Sequence, residues 1–163
     1  MPIAIERILV PVDFSAATAK AKEFADAFAK QFGAEVELLH VVERSPYEVY
    51  QERGFFQDVP LYYDMPKPPT GAREPRFLVK DVLEEMRTQL EKLTVPAAGV
   101  RYHVKALHGH PVEEILGEIQ NYKPSLVVMA THGRTGLTYL MLGSVAERIV
   151  RLSPAPVLTL RAG

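Results

Sequence analysis

The residues best able to do chemistry follow the apolar run Leu126-Val127-Val128-Met129. This stretch contains Gly133, Gly143 and Ser144, with nine residues between the two glycines, and a helix-like segment comes directly after it. Backbone amides approach an anion closely where no side chain intervenes, and the start of a helix offers unpaired N–H groups and a positive dipole end. The pattern predicts a phosphate cradle, and nucleotide binding is the first hypothesis.

A carboxylate follows a second apolar run near the start of the chain. Asp13 comes directly after residues 8–12, which are continuously apolar, as in a strand covered on both faces. Two roles stay open for Asp13: a helix cap, or a contact to a ribose or a metal ion. No paired general acid and base and no Ser-His-Asp set are evident, and the P-loop and dinucleotide-binding motifs are absent from the sequence. A dedicated catalyst is therefore not expected.

Other polar residues each admit two interpretations. Arg134 is either a phosphate-binding cation or a solvated loop arginine, and His132 either touches phosphate or packs within the loop. His108 and His110 could suggest a metal, but no third ligand stands at a sensible spacing, so a surface turn is favoured. His40, inside an apolar run, is interpreted as a histidine of the core or its flank.

Predicted strands alternate with amphipathic helices along the chain. The strands cover residues 8–12, 36–42, 100–107, 126–130 and 157–160. The first helix is capped by Ser15 or Asp13 and ends at Gly33, and others carry residues 79–93, begin at Pro111 and span 144–152. The apolar face of the first helix is predicted to contain Ala17, Ala21, Phe24, Ala25, Phe28 and Phe32.

This alternation predicts an α/β fold with one five-stranded parallel sheet in the order 3-2-1-4-5 and helices on both faces. The direction of winding then reverses between strands 1 and 4, and ligands of such sheets bind in the crevice at the carboxyl ends of those strands. Residues 11–13 form one lip of that crevice and residues 129–130 the other. The glycine pattern and the topology thus converge on one site.

Length and composition fit one domain covering residues 1–163, with an insertion at about 43–76 that is rich in proline and aromatic residues. The insertion either packs on its own body or forms a flap or a dimer contact.

The net charge is -1, which gives no electrostatic footprint for nucleic acid or a membrane surface. The chain has no cysteine and no signal-peptide pattern, so a cytoplasmic protein is expected.

With these residues in place, the chain resembles the universal stress proteins over nearly all of its length except residues 43–76. The ATP-binding branch of that family carries a Gly-x2-Gly-x9-Gly-Ser/Thr loop, and the matching positions here are Ala130, Gly133, Gly143 and Ser144. Alanine at the first position is the departure. It costs about 1 kcal/mol if the backbone there needs a positive φ, and otherwise it only crowds the ligand.

The resemblance implies a Rossmann-like fold, with Val41 contributing main-chain hydrogen bonds to the base and Asp13 meeting adenine and ribose. It implies ATP, or AMP or ADP in its place, with any Mg²⁺ held mainly by phosphate oxygens and water. The full set of expected binding residues includes the loop histidine and comprises Pro11, Val12, Asp13, Val41, Met129, Ala130, His132, Gly133, Arg134, Gly143, Ser144 and Val145.

An ATP-binding stress-response protein with at most slow hydrolysis is the first functional expectation. A non-nucleotide interaction module of the same fold is the alternative, and a small nucleotidyl-transfer enzyme is a third. An open apolar edge strand invites a second chain, and family members similarly dimerise there, so a homodimer through residues 157–160 is expected. Ser144 and Glu147 are also predicted to form a capping box at the last helix.

Overall fold

Residues 4–43, 75–94, 99–131 and 143–161 are described by a computed structural model, with the backbone alone at 75–78. The elements are β1 (Arg7–Pro11), α1 (Ala16–Phe32), β2 (Glu35–Glu43), α2 (Pro75–Thr94), β3 (Arg101–Gly109), α3 (Pro111–Tyr122), β4 (Leu126–Ala130), α4 (Ser144–Leu152) and β5 (Val157–Leu160). All paired strands are parallel and their order is β3-β2-β1-β4-β5. The predicted α/β fold and strand order are confirmed. The insertion lies almost entirely outside the described residues.

Helix ends follow the local sequence signals. The Ser15 hydroxyl accepts a hydrogen bond from the Thr18 amide at 3.3 Å and caps α1, and Gly33 ends the helix with a φ of 70°. That left-handed conformation favours glycine because a Cβ would be strained there. Pro111 opens α3, as predicted. No helix in the described part of the chain is long and apolar enough to cross a membrane.

Helices α1 and α2 cover one face of the sheet, and alanine dominates the α1 contact. Ala17, Ala21, Ala25 and Ala29 are buried, and three of them join a core cluster with Leu90 of α2. The predicted apolar face of α1 was wrong in part, since Phe24 and Phe32 are 43% and 48% exposed. Small alanines let the helix lie close to the strands, and the larger rings then fall beside the contact.

Helices α3 and α4 cover the opposite face. Their buried residues pack over β1, β2 and β4 in a second core cluster that comprises Leu9, Leu39, Val112, Ile115, Ile119, Val127, Met129, Ala146 and Ile149. The central strands of the sheet are therefore covered by apolar packing on both faces.

The α3 face also buries charge. Glu37 of β2 and Glu118 of α3 are only 7% and 4% exposed, and Lys105 of β3 lies 2.6 Å from a Glu118 oxygen. Burial, the Glu118 charge and a side-chain hydrogen bond with Glu118 raise the pKa of Glu37 to about 7, despite the opposing Lys105 charge. The Oε1 atom of Glu37 has no hydrogen-bond partner among the described residues. These three side chains are called the carboxyl cluster below.

Candidate functional site

The carboxyl ends of β1, β2 and β4 meet at one edge of the sheet. Pro11 is aligned with Leu39 of β2, and Leu9 is aligned with Val127 of β4. Continued past the paired residues, the same offsets would align Asp13 with Val41 on one side and with Thr131 on the other. The first-strand and fourth-strand lips predicted from sequence therefore lie together at the point where the winding reverses.

The side chain of Asp13 is oriented by the first turn of α1. Its Oδ1 atom accepts hydrogen bonds from the Ser15 amide at 2.9 Å and the Thr18 hydroxyl at 3.0 Å. Its Oδ2 atom makes no hydrogen bond to another described residue. A capping role and a ligand contact are thus compatible, because one oxygen serves the helix and the other has capacity for a hydroxyl donor.

The residue after Asp13 has an uncommon backbone conformation. Phe14 has a φ of 62°, in the left-handed region that costs a residue with a Cβ about 1 kcal/mol. Sequence reasoning missed this strain because an aromatic residue carries no signal for a positive φ. Strained turns persist only where surrounding contacts hold them, and they concentrate at functional sites.

At the other lip, the backbone conformation of β4 shows whether the alanine at position 130 is strained. Ala130 lies in the strand opposite Leu160, and among described non-glycine residues only Phe14 and Lys123 have a positive φ. A conformational penalty at Ala130 is therefore excluded. Its methyl group matters only if a ligand approaches the backbone closely.

Gly143 holds the start of α4 against the end of β4. Its amide donates to the Thr131 carbonyl at 2.6 Å, and a Cβ at this position would lie 2.8 Å from that oxygen. Glycine is required here by a contact within the protein itself. The Gly143 amide was expected to bind phosphate, but in the structure it is already bonded to the Thr131 carbonyl.

The predicted capping box at α4 was wrong by one residue. Gly143 is the N-cap and Ser144 is the first helical residue, so the Ser144 hydroxyl is not in the capping position. The first bond within the helix runs from the Glu147 amide to the Gly143 carbonyl at 2.9 Å. The Glu147 carboxylate instead lies 3.7 Å from Arg151, one turn later.

The structure places most of the candidate residues at this edge. Two lips and a helix start are formed by Pro11, Val12, Asp13, Val41, Met129, Ala130, Gly143, Ser144 and Val145. His132, Gly133 and Arg134 lie outside the described residues. Whether they complete the site remains a prediction from the sequence.

A hollow of about 430 Å³ lies at the opposite edge of the sheet. It is lined by Ile5, Glu6, Arg7, Phe32, Gly33, Glu35 and Arg101. Parallel sheets bind ligands at the carboxyl ends of their strands, and this hollow lies at the amino ends. We therefore assign no role in the candidate site to it.

The sequence pattern of the Universal stress protein family matches residues 4–54 and 59–161. Universal stress protein MJ0531 of Methanocaldococcus jannaschii is 33% identical over 159 residues, which cover 96% of this chain and 82% of that protein. MJ0577 of the same organism is 29% identical over 164 residues, which cover 99% of this chain and 98% of that protein.

Solved structures agree with the family match. The structure of MJ0577 has a TM-score of 0.75 and 25% identity to this chain, with 99% of both chains covered. A universal stress protein in complex with cAMP has a TM-score of 0.65 at 15% identity, covering 98% of this chain and 99% of its own. One from Archaeoglobus fulgidus in complex with dAMP has a TM-score of 0.52 at 16% identity, covering 97% and 98%. This chain belongs to the universal stress protein family.

Proposed function

We propose that the chain binds an adenine nucleotide in the crevice between the ends of β1 and β4. ATP is the first candidate, with AMP and ADP as substitutes. The protein acts as a nucleotide-dependent regulator of a stress response and hydrolyses ATP slowly at most, because its sequence lacks the P-loop motif of dedicated nucleotide hydrolases.

The observation that carries the proposal is the position of the glycine pattern in the fold. The pattern starts at Ala130, the last residue of β4, and its Gly143 is bonded to Thr131, the next residue after that strand. The pattern therefore begins and ends at the edge where the winding reverses. Ligands of open parallel sheets bind at that edge.

The start of α4 supplies a second argument. The backbone amides of residues 144–146 precede the first bond within the helix, which is donated by Glu147. Such first-turn amides and the positive end of the helix dipole favour an anion. We propose that these amides, rather than that of Gly143, contact the phosphates, with Mg²⁺ bound mainly through phosphate oxygens and water.

The opposite lip suits the nucleoside. The Asp13 carboxylate is oriented by the start of α1, and its Oδ2 atom can accept a hydrogen bond from a ribose hydroxyl. Family members in complex with cAMP and dAMP indicate that this fold accommodates adenine nucleotides. Val41, level with Asp13, is proposed to offer its main chain to the base.

The experiment is to denature the purified protein, look for released adenine nucleotide, and titrate ATP by calorimetry. In Gly133→Asp a carboxylate stands where phosphate is expected, and repulsion between like charges should abolish the binding heat. Gly117→Asp is the matched control, since it adds the same charge on α3, where an added Cβ meets no atom within 4 Å.

The expected result is ATP binding by the wild type and the control, no binding by Gly133→Asp, and the same helix content in all three. Equal affinities in Gly133→Asp and the wild type would show that the phosphate site is wrongly assigned. Absence of ATP binding by the wild type would remove the proposed function itself.

The bond between Gly143 and Thr131 favours a second candidate, an interaction module whose crevice stays empty. This bond explains one glycine of the pattern without any ligand.

We propose for either case a homodimer through Val157–Leu160, because β5 is an edge strand of the described sheet. A monomer mass in sedimentation at micromolar concentration would contradict the dimer. We also propose that residues 1–163 form one cytoplasmic domain, testable by limited proteolysis and cell fractionation.

A further inference from the structure

His40 of β2 is bonded to the strand-to-helix turn that carries Asp13. Its Nδ1 atom lies 2.6 Å from the Val12 carbonyl, and the Val12 amide donates to the Leu39 carbonyl at 2.8 Å. Both backbone polar groups of Val12 are therefore held by consecutive residues of β2. A carbonyl oxygen only accepts, so the hydrogen must reside on Nδ1 of His40.

The same imidazole also contacts the residue on the other side of Asp13. The ring of Phe14 lies 4.8 Å from the His40 ring, centroid to centroid, and packs against the core cluster beneath α1. Phe14 has the left-handed backbone described above, which must be held by contacts. One side chain thus supports both sequence neighbours of Asp13.

We propose that His40 is a positioning residue for the nucleotide site, which fixes the turn at residues 12–14 so that the Asp13 carboxylate meets the ligand. This inference rests on the proposed function. His40 does not bond to the carboxylate; Ser15 and Thr18 do. Its action is exerted through the backbone on either side.

A purely apolar side chain would not serve in the same way. His40 interrupts an apolar run in which Leu38 and Leu39 are fully or nearly fully buried, so a leucine in its place would continue the apolar pattern. Leucine has no donor, however, and would leave the Val12 carbonyl without the Nδ1–H bond. The positioning role and a packing role therefore predict different outcomes for a polar replacement.

The decisive variants are His40→Asn and His40→Gln. The asparagine side-chain nitrogen lies close to the place of Nδ1 and can donate to Val12, whereas that of glutamine lies farther out, near the place of Nε2. We expect His40→Asn to bind ATP within about threefold of the wild type and His40→Gln to bind at least about tenfold more weakly. The two amides share polarity but differ by one methylene and in where the N–H group lies, so equal thermal stability of the two variants would assign a difference in affinity to the N–H position.

A double-mutant cycle with Asp13→Ala tests whether His40 acts through Asp13. If it does, His40→Gln combined with Asp13→Ala binds ATP no more weakly than Asp13→Ala alone, within about twofold. Losses that simply multiply would overturn the inference, as would equal ATP affinity of His40→Gln and the wild type. A wild type that binds no ATP would instead contradict the proposed function.

A measurement on the unaltered protein guards against variants that fail to fold. The ¹⁵N spectrum of the imidazole distinguishes the two neutral tautomers without any nucleotide. The inference expects the hydrogen of neutral His40 on Nδ1, and a predominant Nε2–H tautomer would overturn it.

Discussion

The turn around Asp13 and the carboxyl cluster both place acidic side chains beside β2, yet their surroundings differ. Asp13 is half-buried at the sheet edge and receives two hydrogen bonds from α1. Glu37 lies on the sheet face covered by α3, beside a second carboxyl group, and one of its oxygens has no hydrogen-bond partner in the part of the chain that the structure describes. The first arrangement leaves one carboxylate oxygen for a further donor, whereas the second raises the pKa of a buried carboxyl group, so we expect folding to depend on pH there. Changes in the first region should affect affinity, and changes in the second should affect stability.

The largest expected effect comes from the carboxyl cluster. Glu37 faces Glu118 from α3, Lys105 from β3 and Glu35 of its own strand, and its pKa rises from an ordinary 4.5 to about 7. Between these values the folded protein keeps a proton that the unfolded chain has released, so stability falls as pH rises. At about 1.4 kcal/mol per pH unit, the free energy of unfolding should fall by up to about 3 kcal/mol.

Urea unfolding at a series of pH values from 4 to 8 measures this effect. Glu37→Gln is the control, since its amide keeps the shape and can donate to Glu118 without titrating. The difference in stability between the two proteins isolates the Glu37 contribution from that of other titrating groups. Parallel pH profiles of the two proteins would show that Glu37 holds no such proton. The proposed contrast between a region that affects affinity and one that affects stability would then be wrong for Glu37.

The next effect concerns affinity at the turn. Asp13→Asn keeps an acceptor for Ser15 and Thr18 but removes the charge, so we expect ATP to bind about tenfold more weakly, or about 1.4 kcal/mol. The melting temperature should change little. Asp26→Asn is the matched control: Asp26 bonds to Lys22 and Tyr102 between α1 and β3, and should affect stability rather than affinity.

Calorimetry and thermal unfolding of both variants make the comparison direct. If Asp13→Asn lost stability while keeping its affinity, Asp13 would be a cap and nothing more. If Asp26→Asn weakened ATP binding as much as Asp13→Asn does, the affinity effect would not be local to the crevice.

The smallest effect is predicted at Ala130. Glycine there would remove a methyl group from an extended strand, so it should tighten ATP binding by about two- to fivefold while lowering stability by about 0.5–1 kcal/mol. Titration of ATP and urea unfolding measure the two changes separately. Unchanged or weaker binding would mean that the ligand does not approach this part of the backbone.

The bounds of the helices and strands could be predicted because the residues that mark them are local, and the alternation of the elements then predicted the strand order. Ser15, Gly33 and Pro111 stand where the helices begin or end, and the continuous apolar runs coincide with the strands. Amphipathic periodicity was less reliable: Phe24 and Phe32 fit the helical spacing but are exposed. Their burial depends on how closely α1 lies against the sheet, which spacing along one helix does not reveal.

The candidate site was predictable at the level of lips and loops, and less so at the level of hydrogen bonds. The sequence indicated Asp13 and Gly143, but the bonds of Gly143 to Thr131 and of His40 to Val12 join residues far apart in the chain. The strained backbone of Phe14 has no residue-type signal at all. Such features arise from tertiary contacts, which override local preference.

The amide of Gly143 is bonded to the carbonyl of Thr131, so the two residues that flank positions 132–142 of the sequence lie side by side at the end of β4. The entropic cost of closing a loop grows only slowly with its length. Evolution could therefore lengthen, shorten or rewrite that segment while α4 keeps its anchorage. Diversity of bound effectors among such proteins would then require little change in the rest of the architecture.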